Sequence, residues 1–442
     1  NEWKAHSGLA TLQRVSKHWR EAGSEYRAAI DIIERERSKI RYDELKFTFL
    51  SSLIRFYQEY VDFLMDRGQT QRAFEVAASS RARVLSEKLH TSALTRTKAA
   101  ARLHRLVANT QTILASYWLA PGRSFLWVID ESGLRAFILP PEEEIASKVI
   151  SWRKAVLESD SEDTPNEAGQ WLNHHLISDH FTVPRNYTLV VAPDGSLFEL
   201  NFEALPTGRN GGYWIDKTTI AVAPAPSLLR SLEHPKNDYL LLIGDPDFES
   251  AEFPRLAHLN KEMSDISSQF TKKDVYRGAA ATPEAYRRAP TAHYSVVHFA
   301  AHAVASWDNP LDSAILLSGG VNHKLYARDI TRYPLHAGLV TLSACQTAGK
   351  RTYAGEGLTG LAWAFLSAGA AQVVAGLWDV DDRATSSLMS RFYTSIQSGE
   401  LPVRALRSAK LSLMRSSNMY RNPLYWAGFE VFTNGVYRGS PI

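Results

Sequence analysis

Tyr294-Ser-Val-Val-His-Phe-Ala-Ala-His302 and Gly338-Leu-Val-Thr-Leu-Ser-Ala-Cys345 are the two runs whose reading decides the fold. Each is almost continuously apolar, carries β-branched residues and is too short for a typical helix. That is the pattern of a strand buried on both faces of a parallel sheet. As neighbouring parallel strands they bring an imidazole and a thiol to the C-terminal strand edge, where open α/β sheets bind ligands. Cys345 is the only cysteine in the chain.

A cysteine attacks at neutral pH only as thiolate, and a nearby imidazole helps form that state and later protonates a leaving amine. Cys345 and His302 are candidates for those roles. The amides of Ala303 and Cys345, at the start of loops expected to continue no ladder, are candidates to hold an oxyanion. A solitary cysteine in an apolar run is equally read as an inert core residue, and spacing alone leaves both readings open. His298 and His302 form an HxxxH pair that would suggest zinc on a helix. On a strand, residues four apart lie roughly 13 Å from one another, so no metal is expected.

Working outward, the later chain repeats the same texture. Tyr239–Gly244, Ala314–Leu317 and Ala371–Trp378 are further apolar runs expected in the same parallel sheet. Asp379, Asp381 and Asp382 follow Trp378. They either line a pocket for a basic side chain or cap the next helix, with Asp382 as its N-cap. Gly355-Glu-Gly357-Leu-Thr-Gly360 imitates a dinucleotide-binding loop, but the stretch from Cys345 to Ala354 separates it from its strand, so phosphates would not meet the turn. Small residues that let a helix press on a sheet suit it better, and no cofactor is expected.

Earlier, from about residue 120, short β-rich runs appear: Ser124–Ile129, Leu134–Leu139 and Tyr187–Ala192, the last followed by a Pro193-Asp-Gly195 turn. Glu158–Glu167 and Arg209–Gly212 read as solvated connections. The first hundred residues are helical in pattern, with Leu50, Leu53, Ile54, Tyr57, Val61 and Leu64 on one stripe. Gly23-Ser-Glu-Tyr-Arg-Ala28 and Gly68-Gln-Thr-Gln-Arg-Ala73 look like two helical-hairpin turns, each glycine ending a helix. Their spacing exceeds the roughly 34 residues of a tetratricopeptide repeat, so antiparallel helix pairs in general, or an ordinary helical subdomain, fit as well. The division this gives is 1–105 helical, 106–236 β-rich and 237–442 α/β.

The 442 residues carry 50 Lys+Arg and 47 Asp+Glu, a net charge of +3 spread along the chain. Such balance argues against nucleic acid and anionic membrane, leaving protein or peptide partners. No apolar stretch reaches the roughly 20 residues of a membrane span. One cysteine fits a reducing compartment, and cytoplasmic residence is the expectation. The chain begins at Asn1 rather than methionine, which fits a piece of a longer polypeptide.

HFAAHA (298 to 303), LSACQTAGK (342 to 350), GEGLTGLAWAFLSAGA (355 to 370), VVAGLWDVDD (373 to 382) and WAGFEVF (426 to 432) together resemble the CHAT domain. VVAPDGSLFELNFEALP (190 to 206) and LLIGDPDF (241 to 248) extend the likeness, from about Leu106 to Asn434. CHAT domains are caspase-like, clan CD, separase-related protease modules commonly preceded by tetratricopeptide repeats. The resemblance implies a caspase-like, mostly parallel α/β sheet flanked by helices, with a β-rich pseudo-protease-like half and an all-α segment before it. It implies a cysteine endopeptidase acting on one or a few proteins, with Cys345 as nucleophile, His302 as its base and His298 structural. A partner or signal acting on the repeats would gate it, as in bacterial defence or cell-death systems. Ala303 stands where the family often has glycine. Separases carry a further aspartate that reads arginine, and aligned from Trp378 that position is Ser386 here, so arginine specificity does not carry over. A catalytically silent interaction scaffold of the same fold is the alternative.

Overall fold

The computed structural model describes residues 2–40, 45–46, 49, 52–89, 99–158, 167–208, 212–236, 238–247, 252–290, 293–306, 309–343, 351–353 and 357–438. Helices α1 (Glu2–Val15), α2 (Trp19–Arg37), α3 (Ile54–Asp66), α4 (Thr70–Ser79) and α5 (Ala99–Ala108) come first. The aromatic positions of α2 and α3 meet at helical spacing, and Tyr26 stacks on Tyr60 with ring centroids 4.8 Å apart. Leu50 of the expected stripe lies outside the described residues. Gly68 does end α3, with φ +67, whereas Gly23 sits inside α2. An added Cβ there would lie in ordinary contact with the Phe63 ring, at 3.7 Å, so the position does not require glycine. The first turn falls instead at Ser16–His18, where Lys17 takes φ 61.

Eleven strands then form one sheet: β1 (Thr112–Trp118), β2 (Ser124–Asp130), β3 (Gly133–Leu139), β4 (Thr188–Ala192), β5 (Thr219–Val222), β6 (Tyr239–Pro246), β7 (Lys272–Gly278), β8 (Val296–Ala300), β9 (Leu339–Ser343), β10 (Gln372–Gly376) and β11 (Phe429–Thr433). Their spatial order is β3-β2-β1-β4-β5-β11-β10-β9-β8-β6-β7. All neighbours run parallel except β1–β2, β2–β3 and β10–β11. The β-rich region and the region after 237 therefore share one sheet. The antiparallel seam at β10–β11 sets β6, β8, β9 and β10 opposite in direction to β1, β4 and β5. Ala314–Leu316 is not in this sheet. It pairs with Ala303–Val304 and Lys324–Tyr326 in a separate three-stranded one, so the expected placement of that run is corrected. Three residues between turns are too few to cross a domain core.

Five longer helices flank the sheet: α6 (Glu142–Glu158), α7 (Leu259–Ser268), α8 (Leu361–Ala368), α9 (Asp382–Gln397) and α10 (Pro402–Ser416). Every residue of α8 is buried. Its end is fixed by Gly369 at φ +117, where a Cβ would fall 2.3 Å from Leu335 O and only glycine fits. Gly357–Thr359 is a short strand pairing with Arg351–Tyr353, and Gly360 is the N-cap of α8; Gly355 and Glu356 lie outside the described residues. The stretches read as loops at 159–166 and 209–211 lie outside the described residues.

The helical region is joined to the sheet by specific contacts. The Phe74 ring meets Trp127 of β2 edge-on at 5.8 Å, and Gln58 Nε2 donates to Leu119 O at 2.9 Å. The residue 105 boundary falls inside α5. No helix among the described residues is long and apolar enough to cross a membrane.

Candidate active site

β8 and β9 are adjacent, parallel and fully buried, as their sequences require. His302 follows β8 by two residues and is partly exposed. Its Nε2 donates to the backbone oxygen of Pro254 at 2.7 Å, and the Phe253 ring lies 5.6 Å away. A carbonyl only accepts, so Nε2 carries the hydrogen and Nδ1 is the basic nitrogen of the neutral ring. The backbone thus fixes both ring orientation and tautomer, as a carboxylate does for the histidine of a Ser-His-Asp triad.

Ala303 does enter a ladder, contrary to the sequence expectation, opening the short strand opposite Ala314–Leu316. Leu316 N–H donates to His302 O at 2.8 Å. Because antiparallel pairs alternate, the Ala303–Ile315 pair is then of the non-bonded kind, and the Ala303 amide points away from its ladder partner. Cys345 and its amide lie outside the described residues. β9 is described to Ser343, which pairs with Ala300.

The pocket candidates separate. Trp378 is 2 % exposed, its Nε1 donating to Leu424 O at 3.1 Å and its indole set edge-on against Trp152. Ser386 is buried in the first turns of α9. Asp381, not Asp382, is the N-cap: its Oδ1 accepts from the Ala384 amide at 2.8 Å. Asp382 Oδ2 accepts from both the backbone N and Nδ1 of His258, at 2.8 and 2.9 Å. One residue of register decides this, because the cap must sit outside the helix with extended backbone, and Asp381 has ψ 130. Asp379 is exposed.

Sequence reading missed the 253–258 segment, whose contribution is a backbone carbonyl and so carries no residue-type signal. It also missed Asp245, which ends β6 at φ 44, is buried, and receives Arg255 Nη2 at 3.3 Å. His298 is wholly buried, with Nε2 donating to Glu262 Oε1 at 3.0 Å and Nδ1 3.0 Å from the Tyr393 hydroxyl. Burial raises the Tyr393 hydroxyl above its ordinary pKa.

The corresponding strand ends of the first half are filled. Arg81, buried at the close of α4, donates to Tyr117 O at 2.9 Å and to Pro193 O, closing the ends of β1 and β4. Asp194 beside it accepts from the Leu119 amide at 2.9 Å. Burial raises the Asp194 carboxyl, and the Arg81 charge opposes that rise.

Sheet order, flanking helices and a histidine leaving a buried parallel strand define a caspase-like α/β protein. The chain belongs to the CHAT domain family, whose profile matches residues 166–434, more than half of its length. Tetratricopeptide repeat protein 28 of Mus musculus is 36 % identical over 117 residues, and its Homo sapiens counterpart 33 %. These matches cover 26 % of this chain and 5 % of each relative. The structure of the Saccharomyces cerevisiae separase-securin complex is similar in fold, with TM-score 0.60 and 12 % identity. That likeness covers 99 % of this chain and 40 % of the other. The chain thus spans a small part of these curated relatives and less than half of the separase-complex chain.

Proposed function

We propose that this chain is a cysteine endopeptidase acting on a specific protein substrate through Cys345 and His302. The observation that carries the reading is the β8–β9 register. Ser343 pairs with Ala300, and Cys345 and His302 each stand two residues further along the sequence. Nε2 of His302 is engaged by Pro254, which leaves Nδ1 to take the thiol proton.

In this reading the thiolate sulfur attacks the scissile carbonyl carbon, and the carbonyl electrons move to oxygen. The Ala303 amide and the amide of Cys345 hold that oxyanion. Collapse breaks the C–N bond while the imidazolium gives its proton to the leaving amine. Water, losing a proton to His302, then attacks the thioester and releases the acid and the thiol. Asp379, exposed just after β10, supplies negative charge near the strand ends and favours a basic side chain before the scissile bond. Asp382, held by His258, would stand at the edge of the pocket, with buried Trp378 and Ser386 and the N-cap Asp381 supporting it from behind. A protein partner acting on the helical region would gate cleavage, in keeping with the tetratricopeptide relatives and the partnered separase. No metal or cofactor enters these steps.

The single cysteine makes the test direct. Iodoacetamide should alkylate the full chain at about pH 6, where an ordinary thiol near 8.5 reacts slowly. His302→Ala should move labelling to the ordinary range. Labelling only above about pH 8 in both proteins would sink the proposal and favour the silent scaffold.

A further inference from the structure

Four buried side chains form one chain of hydrogen bonds beneath the candidate site. Glu262 Oε1 accepts from His298 Nε2, and the Tyr393 hydroxyl lies 3.0 Å from His298 Nδ1 and 2.9 Å from Thr341 Oγ1. Glu262, His298, Tyr393 and Thr341 are each 0 % exposed. They come from α7, β8, α9 and β9, so one polar chain ties two helices to two strands. Glu262 Oε2 has no partner among the described residues, which leaves the carboxylate devoted to the imidazole.

His298 and Thr341 are paired across the ladder. Each precedes its dyad residue by four positions, His302 in one strand and Cys345 in the other. The apolar neighbours exclude a one-residue slip but discriminate less against a slip of two. Val296, Val297 and Phe299 against Leu339, Val340 and Leu342 would bury comparable surface after a two-residue slip, which keeps every side chain on its own face. A two-residue slip of β9 against β8 would break the Tyr393–Thr341 bond, leaving the buried Thr341 hydroxyl without that partner and, in one direction, setting an aliphatic residue against the phenol, a costly loss. The same helices carry a second tie at their N-terminal ends, where His258 meets Asp382. α7 also follows directly from the segment whose Pro254 oxygen orients His302.

We propose that the Glu262–His298–Tyr393–Thr341 chain is a positioning device, which locks the axial register of β8 and β9 and so sets how the imidazole and thiol meet. This rests on the protease reading above. Its four members are positioning residues, removed from the reacting atoms.

The test uses the full chain and the same thiol, with thermal unfolding measured in parallel. Thr341→Val keeps shape and removes the hydroxyl; Tyr393→Phe removes the other. Both should slow iodoacetamide labelling at pH 6 by about tenfold or more and shift its pH midpoint upward, toward about 8.5. Thr341→Ser, which retains the hydroxyl, should restore the wild-type profile. A purely structural role would lower the melting temperature of folded Thr341→Val while leaving the labelling profile unchanged, and that outcome overturns the inference. So does an unshifted profile with unchanged melting. The two failures are separable: a wild-type thiol of ordinary reactivity, indifferent to His302→Ala, ends the protease reading. A low wild-type midpoint that responds to His302→Ala but not to Thr341→Val or Tyr393→Phe ends only the positioning role.

Discussion

Two parallel strand pairs of one sheet, β8–β9 and β1–β4, end in opposite ways. At β1–β4 the crevice holds a guanidinium: Arg81 reaches in from the helical region, donates to two terminal carbonyls and sits beside Asp194. At β8–β9 the described residues leave a partly exposed imidazole held from behind by one carbonyl, with a backbone amide turned away from its ladder. Strand ends in open α/β sheets are ready-made binding places. Whether such a place does chemistry or joins two parts of a molecule depends on what fills it.

The comparison breaks most sharply at the open end. Cys345→Ala should abolish cleavage in a peptide-library assay of the activated protein while circular dichroism and melting stay unchanged. His302→Ala should lower turnover by about 10²–10⁴-fold. Activity retained by Cys345→Ala would show that the thiol does no chemistry.

At the closed end the effect should be on stability. Arg81→Leu leaves two carbonyls without donors and Asp194 without its neighbouring cation. That should cost about 3–5 kcal/mol in denaturant unfolding, the scale for breaking a buried charged group's partnership. An unchanged midpoint would mean that the plug contributes little to holding the helical region on the sheet.

Between the two ends lies the seam, where Lys410 Nζ donates to Glu203 and to Phe429 O. Glu430 nearby is pushed up to about 8, chiefly by burial and further by Glu203, against the pull of Lys410. Its folded pKa exceeds the unfolded value, so the folded state holds the extra proton. The stability linked to that proton is fully present below about pH 4.5 and is lost as pH rises through about 8. Glu430→Gln should therefore flatten the decline in melting temperature between about pH 5 and 8. A variant whose melting follows pH as the wild type does would place the titration elsewhere.

The smallest effect is expected at the exposed rim. Asp379→Asn should weaken preference for a basic residue before the scissile bond by a few-fold, read as kcat/KM across a peptide library. An unaltered profile would leave Asp379 as surface charge.

Legibility followed the physics of each element. Buried parallel strands announce themselves by composition, which is why β6, β8, β9 and β10 were readable within two residues. β1 was missed although all seven of its residues are buried, because Ser116 and the aromatics that follow it, Tyr117 and Trp118, break the aliphatic texture. His302 stood out through its place at a strand end. Pro254 did not, since a carbonyl is common to every residue. Glu262 and Tyr393 lie on helices, and Arg81 in the bend after one, far away in sequence, and their contacts depend on tertiary packing that no local pattern encodes. Asp381 and Asp382 differ by one position in a helix start, below the precision of sequence-based boundaries.

β11 pairs with β10 on one side and, through Phe432 and Val222, with β5 on the other. The strand at the middle of the sheet is thus the last of the eleven to leave the ribosome. Until it docks, the two halves have no shared ladder, and closing it requires contacts between segments very distant in sequence, which form slowly. Before β11 docks, the strands on either side of it form two separate half-sheets, with the helical region able to pack beside the first. Docking of β11 is thus the step that joins the His302 half to the half whose strand ends Arg81 closes.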